Sequence, residues 1–173
     1  MKKTARTIAS FAAVFLALMM VNTTSAQAYI HATGSLINYP SNGVKCATPE
    51  GNSTANGTVL TFWDCTGSSM QKWYWEDGFV RHLPSGKCMT PRGNAYATNG
   101  AVLTLWDCGS YRNEAQTFTV GDRLNLRTNT YTTYGNKCIT GYGNGTSNGT
   151  YMTLWSCSSS VPATQNWGMY ENG

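Results

Sequence analysis

Charged side chains are few: Lys, Arg, Asp and Glu together make up 12% of the 173 residues, and His31 and His82 are the only histidines. Acids this sparse and unclustered imply no calcium site, which needs several converging carboxylates. No Ser, Cys or carboxylate stands in a recognisable catalytic motif beside either histidine, so no catalytic residue is assigned and the chain is read as a non-enzyme. The formal charge of +4 includes Lys2, Lys3 and Arg6; without them nine basic residues face eight acidic ones, a balance of +1. Lacking a clustered basic surface, the chain has no counterion-release grip on nucleic acid, and no such partner is expected. Sustained helical periodicity is missing too, and Pro and Gly recur too often for long helices.

Long apolar runs are confined to the start of the chain. Lys2, Lys3 and Arg6 precede an apolar stretch from Phe11 to Val21 and a small-residue exit at Ala26-Gln27-Ala28. That pattern predicts a secretory signal peptide over residues 1–28, cut after Ala28, since the run is shorter than the roughly 20 residues a bilayer span needs. No other segment is apolar enough to span, so no membrane span is expected. The Met-Lys-Lys-Thr-Ala opening and Ala-Gln-Ala exit look bacterial, and a secreted, extracellular location follows. Residues 29–173 then form a single domain. Asn-x-Ser/Thr sequons at Asn52, Asn56, Asn144 and Asn148 are accordingly read as turn residues.

What the chain does have is one sentence spoken three times. Lys45 to Cys65 reads KCATPEGNSTANGTVLTFWDC, Lys87 to Cys108 reads KCMTPRGNAYATNGAVLTLWDC, and Lys137 to Cys157 reads KCITGYGNGTSNGTYMTLWSC. Each carries Lys-Cys, a Thr two residues later, Gly-Asn, Asn-Gly, an apolar-Thr-apolar-Trp run and a second Cys. Gln71 and Trp73, Gln116 and Phe118, and Gln165 and Trp167 follow as Gln-x-aromatic tripeptides. Each copy is one structural unit that cannot bury its apolar face alone. Spacing between first cysteines is 42 and then 50 residues, and five of the extra residues fall in Arg127 to Tyr134. That tyrosine-bearing polar segment reads as a surface loop, with recognition as its sharper alternative.

Six cysteines in an exported chain predict bridges, and of 15 possible pairings one treats all copies alike: Cys46 with Cys65, Cys88 with Cys108, Cys138 with Cys157. The competing zinc reading fails on spacing, which is far from Cys-x2-Cys, so no metal or cofactor is expected. Within each repeat, alternation turns Leu60 and Phe62, Leu103 and Leu105, and Met152 and Leu154 toward the core. Thr61 and Trp63, Thr104 and Trp106, and Thr153 and Trp155 then face away from it. Two roles are open to these indoles and both can hold at once: cover over the repeat's own disulfide, and a binding surface. Asp77-Gly78 between apolar partners reads as a tight hairpin. Short strands at this density of turn signals predict an all-β, barrel-like domain built from three hairpin-rich units.

Three tandem copies of Cys, Gly, Asn-Gly, Leu-x-Leu-Trp-Asp-Cys and Gln-x-Trp resemble the ricin B-type lectin family, also called carbohydrate-binding module family 13. The resemblance covers residues 29–173. It implies a β-trefoil of about twelve short strands in three pseudo-equivalent lobes, near 33–75, 76–122 and 123–173, with the Gln-x-aromatic residues in the framework. It also implies sugar binding at candidate residues Thr48, Thr61 and Trp63, Thr90, Thr104 and Trp106, and Thr140, Thr153 and Trp155, each Trp stacking on a sugar whose hydroxyls meet the threonines. The family's Asp two residues after the first Cys is here Thr48, Thr90 and Thr140, and losing that two-point acceptor costs about 1.5–3 kcal/mol per lobe. Three weak sites still hold a repetitive polymer through avidity of about 100-fold or more. The expected partner is therefore an extracellular glycan or polysaccharide. The alternative is a protein-interaction trefoil, a subunit or adaptor of a secreted toxin or enzyme complex or an inhibitor, with a secreted protein partner.

Overall fold

A computed structural model describes residues 30–38, 43–110, 113–120, 131–133 and 136–170. The proposed leader, residues 1–28, lies outside them. Among the described residues the chain forms twelve strands: β1 (Ile30–Asn38), β2 (Lys45–Pro49), β3 (Leu60–Asp64), β4 (Lys72–Glu76), β5 (Phe79–His82), β6 (Cys88–Pro91), β7 (Leu103–Trp106), β8 (Phe118–Val120), β9 (Tyr131–Thr133), β10 (Lys137–Gly141), β11 (Met152–Ser156) and β12 (Trp167–Tyr170). No helix among them is long and apolar enough to cross a membrane. Short 3-10 turns, at Glu50–Asn52, Ser69–Gln71, Arg92–Asn94, Tyr142–Asn144 and Ala163–Gln165, fill gaps between strands.

Strand β1 joins the ends of the chain. It pairs with β2 through Ile37 and Cys46, with β4 through Ser35 and Lys72, and with β12 through Leu36 and Met169, and the β4 ladder carries a register shift between Ile30 and Ala32. β4 and β5 form the predicted hairpin, closed by Asp77 at φ 50° and Gly78 at φ 88°, the paired positive angles that a two-residue turn of this hand requires. Tyr131–Thr133, expected in a surface loop, is instead a strand that pairs with β8 and β10; the flanking residues 127–130 and 134 lie outside the described part.

The repeats meet through isolated bridges: Val59 with Thr104 links the first to the second, Val102 with Thr153 the second to the third, and Thr61 with Tyr151 the third back to the first. This closed threefold circuit is a β-trefoil. Its core takes the same four positions from each repeat: Ala47, Leu60, Phe62 and Trp73; Met89, Leu103, Leu105 and Phe118; Ile139, Met152, Leu154 and Trp167. A buried indole N–H needs an acceptor, and it has one: Trp73 Nε1 donates to Ala47 O at 3.0 Å and Trp167 Nε1 to Ile139 O at 3.1 Å. All six cysteines are paired as repetition predicts, Cys46 with Cys65, Cys88 with Cys108 and Cys138 with Cys157.

His82 is packed into this framework. Nε2 donates to Met70 O at 3.1 Å, which leaves Nδ1 to accept from Ser85 Oγ at 2.9 Å, and the ring lies 5.0 Å from that of Trp73. Burial holds its pKa below the ordinary 6.5, so the ring is neutral and structural.

Three clefts on the outer face of the repeats

The outer face of each repeat is a β-ladder with a fixed register. Thr48 sits opposite Thr61 and Cys46 opposite Trp63; Thr90 faces Thr104 and Cys88 faces Trp106; Thr140 faces Thr153 and Cys138 faces Trp155. Directly opposed residues on one face bring their side chains together, so each indole lies over the first cysteine of its own bridge. Exposure divides the face sharply. Trp63, Trp106 and Trp155 are 46%, 49% and 52% exposed, whereas Thr61, Thr104 and Thr153 are buried. Alternation assigned the face correctly, but each of these threonines also meets a neighbouring repeat, Thr61 bridging to Tyr151, Thr104 to Val59 and Thr153 to Val102.

The buried polar floor is wired alike in the first two repeats. Gln71 Nε2 donates to Thr48 Oγ1 at 3.0 Å and to Asp64 O at 2.9 Å, while its Oε1 accepts from Thr66 N at 2.8 Å. Gln116 Nε2 donates to Thr90 Oγ1 at 2.8 Å and Asp107 O at 3.0 Å, and its Oε1 accepts from Gly109 N at 2.7 Å. The hydroxyls of Thr48 and Thr90 donate to Cys46 O and Cys88 O, and those of Thr61 and Thr104 to Thr48 O and Thr90 O. These four threonines therefore shape the floor through bonds inside the protein.

Above each floor lies a cleft, of about 310 Å³ in the first repeat, 290 Å³ in the second and 610 Å³ in the third. Each contains its Thr pair member from the first strand, its Trp, and the Gly-Asn of the following 3-10 turn, where Gly51, Gly93 and Gly143 and then Asn52, Asn94 and Asn144 all hold positive φ. Successive left-handed residues turn the chain tightly around the cleft mouth, and Gly and Asn are the residues that tolerate this. Sequence reasoning passed over the residue just before this pair. Glu50 lines the first cleft and Arg92 the second, while the third has no charged lining residue. The signal was available, since position-specific variation inside an otherwise constant repeat marks where copies differ in chemistry.

The first two clefts take a lining glycine from a neighbouring repeat, Gly149 and Gly57, and all three indoles rest against one. Gly149 N of the third repeat donates to Phe62 O at 2.8 Å, Gly57 N of the first to Leu105 O at 2.8 Å, and Gly100 N of the second to Leu154 O at 2.7 Å. A Cβ at Gly57, Gly100 or Gly149 would lie 3.6, 3.8 or 3.9 Å from Cζ3 of Trp106, Trp155 or Trp63, so each indole edge rests on a neighbour's Asn-Gly turn. The asparagine beside that glycine completes the clasp. Asn148 Nδ2 donates to Asp64 Oδ2 and Asn56 Nδ2 to Asp107 Oδ2, each at 2.7 Å, and Lys45 and Lys87 pair with the same carboxylates. In the third repeat Ser156 takes the acid's place, bonded to Asn99 Oδ1 at 3.2 Å and to Lys137 Nζ at 3.0 Å.

The Lys45 ammonium, with Asn148, holds Asp64 below the ordinary carboxylate value of 3.8, and Lys87 with Asn56 does the same for Asp107. A depressed folded pKa means the clasp is intact above 3.8 and is lost as pH falls through the lower folded value. Acid titration should therefore move the indole N–H resonances of Trp63 and Trp106 below pH 3.8 and leave that of Trp155, which depends on Ser156, in place. Equal movement of all three, read by two-dimensional nuclear magnetic resonance, would contradict this coupling. Among the described residues no group of three or more His, Cys, Asp or Glu side chains is placed to hold a metal ion.

Comparison with known proteins agrees with this geometry. The family model for the ricin-type beta-trefoil lectin domain matches residues 76–173. Among solved structures, the designed threefold-symmetric protein ThreeFoil is similar at 19% identity and TM-score 0.68, over 80% of this chain and 98% of that one. An exo-beta-1,3-galactanase from Clostridium thermocellum aligns at 20% identity and TM-score 0.69 over 83% of this chain, which spans 31% of the galactanase. The C-half of an earthworm R-type lectin, in complex with GalNAc, aligns at 13% identity and TM-score 0.59 over 80% of this chain and 99% of the other. At these identities the likeness is one of fold. A search of curated proteins returned no match. With more than half of the chain matched by the family model, and with the threefold circuit closed through all three repeats, this protein belongs to the ricin-type beta-trefoil lectin family.

Proposed function

We propose that this chain is a secreted, non-enzymatic carbohydrate-binding domain that holds an extracellular glycan or polysaccharide in three shallow clefts, one in each lobe near 33–75, 76–122 and 123–173. The observation that carries the reading is the trio of half-exposed indoles, Trp63, Trp106 and Trp155, at equivalent places over clefts of about 310, 290 and 610 Å³. An indole clamped at its edge by a neighbouring turn offers a rigid flat face of the kind on which the apolar side of a pyranose stacks, at little entropic cost. Thr48, Thr90 and Thr140, with Thr61, Thr104 and Thr153, set the floor that fixes the depth of each cleft. Glu50 supplies the first cleft with a carboxylate able to accept two charge-assisted bonds from adjacent hydroxyls, and Arg92 supplies the second with a planar fork of donors. Three disulfides and the leader pattern support export.

The similar earthworm lectin was solved with GalNAc and the similar galactanase is named for a β-1,3-galactan, so galactose-type sugars head the set of ligands to try. The test is a glycan array together with retention on insoluble polysaccharides, using residues 29–173. Retention on at least one glycan is expected, with loss of it in the Trp63→Ala, Trp106→Ala, Trp155→Ala triple variant. Failure to retain any glycan, or retention unchanged in the triple variant, would overturn the reading.

A further inference from the structure

The three bridges are alike in their loops and differ in what lies across the ladder from them. Sequence separations of 19, 20 and 19 residues mean that loop-closure entropy treats them equally. The residue paired with the first cysteine is Ile37 at Cys46, Arg81 at Cys88 and Thr132 at Cys138. Of these three positions only the second carries a charge. Its guanidinium turns onto the bridge itself, Arg81 Nη1 donating to Cys108 Sγ at 3.2 Å. Nε of the same side chain lies 2.8 Å from Glu76 Oε2, and the guanidinium carbon lies 5.2 Å from the centre of the Phe79 ring. Held by these contacts and 23% exposed, the planar fork is in place before any charge develops on sulfur.

A disulfide opens when a thiolate attacks one of its sulfurs, and access decides which. Cys88 is fully buried and Cys108 half-buried, so an incoming thiolate bonds to Cys108 Sγ while Cys88 leaves with the electron pair and takes up a proton. When the reductant is a dithiol, its second thiolate then attacks its own bound sulfur. Cys108 leaves as a thiolate, the dithiol ends as a cyclic disulfide, and two electrons have passed to the bridge. The charge comes to rest on the sulfur that Arg81 Nη1 already touches, an electropositive and part-exposed setting of the kind that stabilises thiolates. Stabilising the reduced form makes a bridge easier to reduce. Glu76 offsets part of the Arg81 charge, which gives a second handle on the same effect. Exposure alone points elsewhere, because Cys157 is exposed while Cys65 and Cys108 are half-buried.

We propose that the Cys88–Cys108 bridge is a thiol-exchange site, the bridge of the three that an external dithiol opens most readily, with Arg81 holding the thiolate released at Cys108. This stands apart from the glycan reading. Its consequence is local, since Cys88 faces Trp106 across the ladder and the other two repeats stay stapled. The test equilibrates the protein in native buffer at neutral pH with graded ratios of reduced to oxidised dithiothreitol, followed by acid quenching, alkylation and peptide mass spectrometry of each cysteine pair. The equilibrium constant for opening Cys88–Cys108 should exceed those of Cys46–Cys65 and Cys138–Cys157 by about tenfold or more, the size of one hydrogen bond to a charged group. Arg81→Met should lower it by about the same factor. Direction separates this from a packing role, because removing an arginine that merely packs would leave the bridge looser and easier to open. Glu76→Gln, which keeps Arg81 and removes the competing anion, should make opening more favourable, and it reads the effect should Arg81→Met fail to fold. Partial reduction should shift the indole N–H resonance of Trp106 and leave those of Trp63 and Trp155 in place. Preferential opening of Cys138–Cys157, unchanged or easier opening in Arg81→Met, harder opening in Glu76→Gln, or equal movement of all three indoles would each overturn the proposal.

Discussion

Full reduction of the three disulfides in native buffer should abolish the cooperative unfolding transition, leaving a chain without fixed tertiary structure at 25 °C. Each bridge closes a loop with a sequence separation of 19 or 20 residues, which in the chain-entropy estimate is worth about 3 kcal/mol. Three such contributions, about 9 kcal/mol, match the whole stability of an ordinary domain, about 5–15 kcal/mol. Among the described residues the core that must compensate is the twelve repeat positions with Leu36, Val80 and Met169, and it includes the small Ala47 and the flexible Met89, Met152 and Met169. Removing a single bridge as Cys88→Ala with Cys108→Ala should cost about 3 kcal/mol and lower the urea midpoint. The damage should also be local in function. Cys88 lies directly across the ladder from Trp106, so the second cleft should lose its ligand response before the others do. A reduced protein with an unchanged midpoint would show that packing alone carries the fold.

Much of this was legible in the residues, and the limit falls where interactions become long-range. Alternation placed Leu60 and Phe62 inside and Trp63 outside because a strand's period is local and strict. Asp77-Gly78 announced its turn for the same reason. Repetition selected the cysteine pairing, since one pattern alone treats three copies alike. Alternation could not show that Thr61, Thr104 and Thr153 would be covered, because Tyr151, Val59 and Val102, which bridge to them, belong to a neighbouring repeat. Nor could it show the clasp, in which Asn56 meets Asp107 across 51 residues and Asn148 meets Asp64 across 84. Tyr131–Thr133 reads as polar loop because three residues are too few for a period, yet unpaired edges on β8 and β10 draw it into a ladder.

Stepwise loss of the three indoles should weaken attachment to a polymer far more steeply than binding of a single sugar. A monosaccharide samples the clefts independently, so Trp63→Ala or Trp106→Ala should reduce its total binding roughly in proportion to the sites remaining. A repetitive surface engages a second cleft at high effective concentration once the first is held, a gain of about 10² to 10⁴ that disappears when a lone site is left. The double variant Trp63→Ala, Trp106→Ala should therefore lose at least about 100-fold in retention on an insoluble polysaccharide while keeping measurable affinity for a short oligosaccharide. Depletion isotherms on the particles, set beside titrations with the oligosaccharide, read the two quantities separately. Equal losses in both would mean that the clefts act one at a time. In that case the threefold arrangement, and the neighbour's Asn-Gly turn that steadies each indole, serve the rigidity of single sites and not their number.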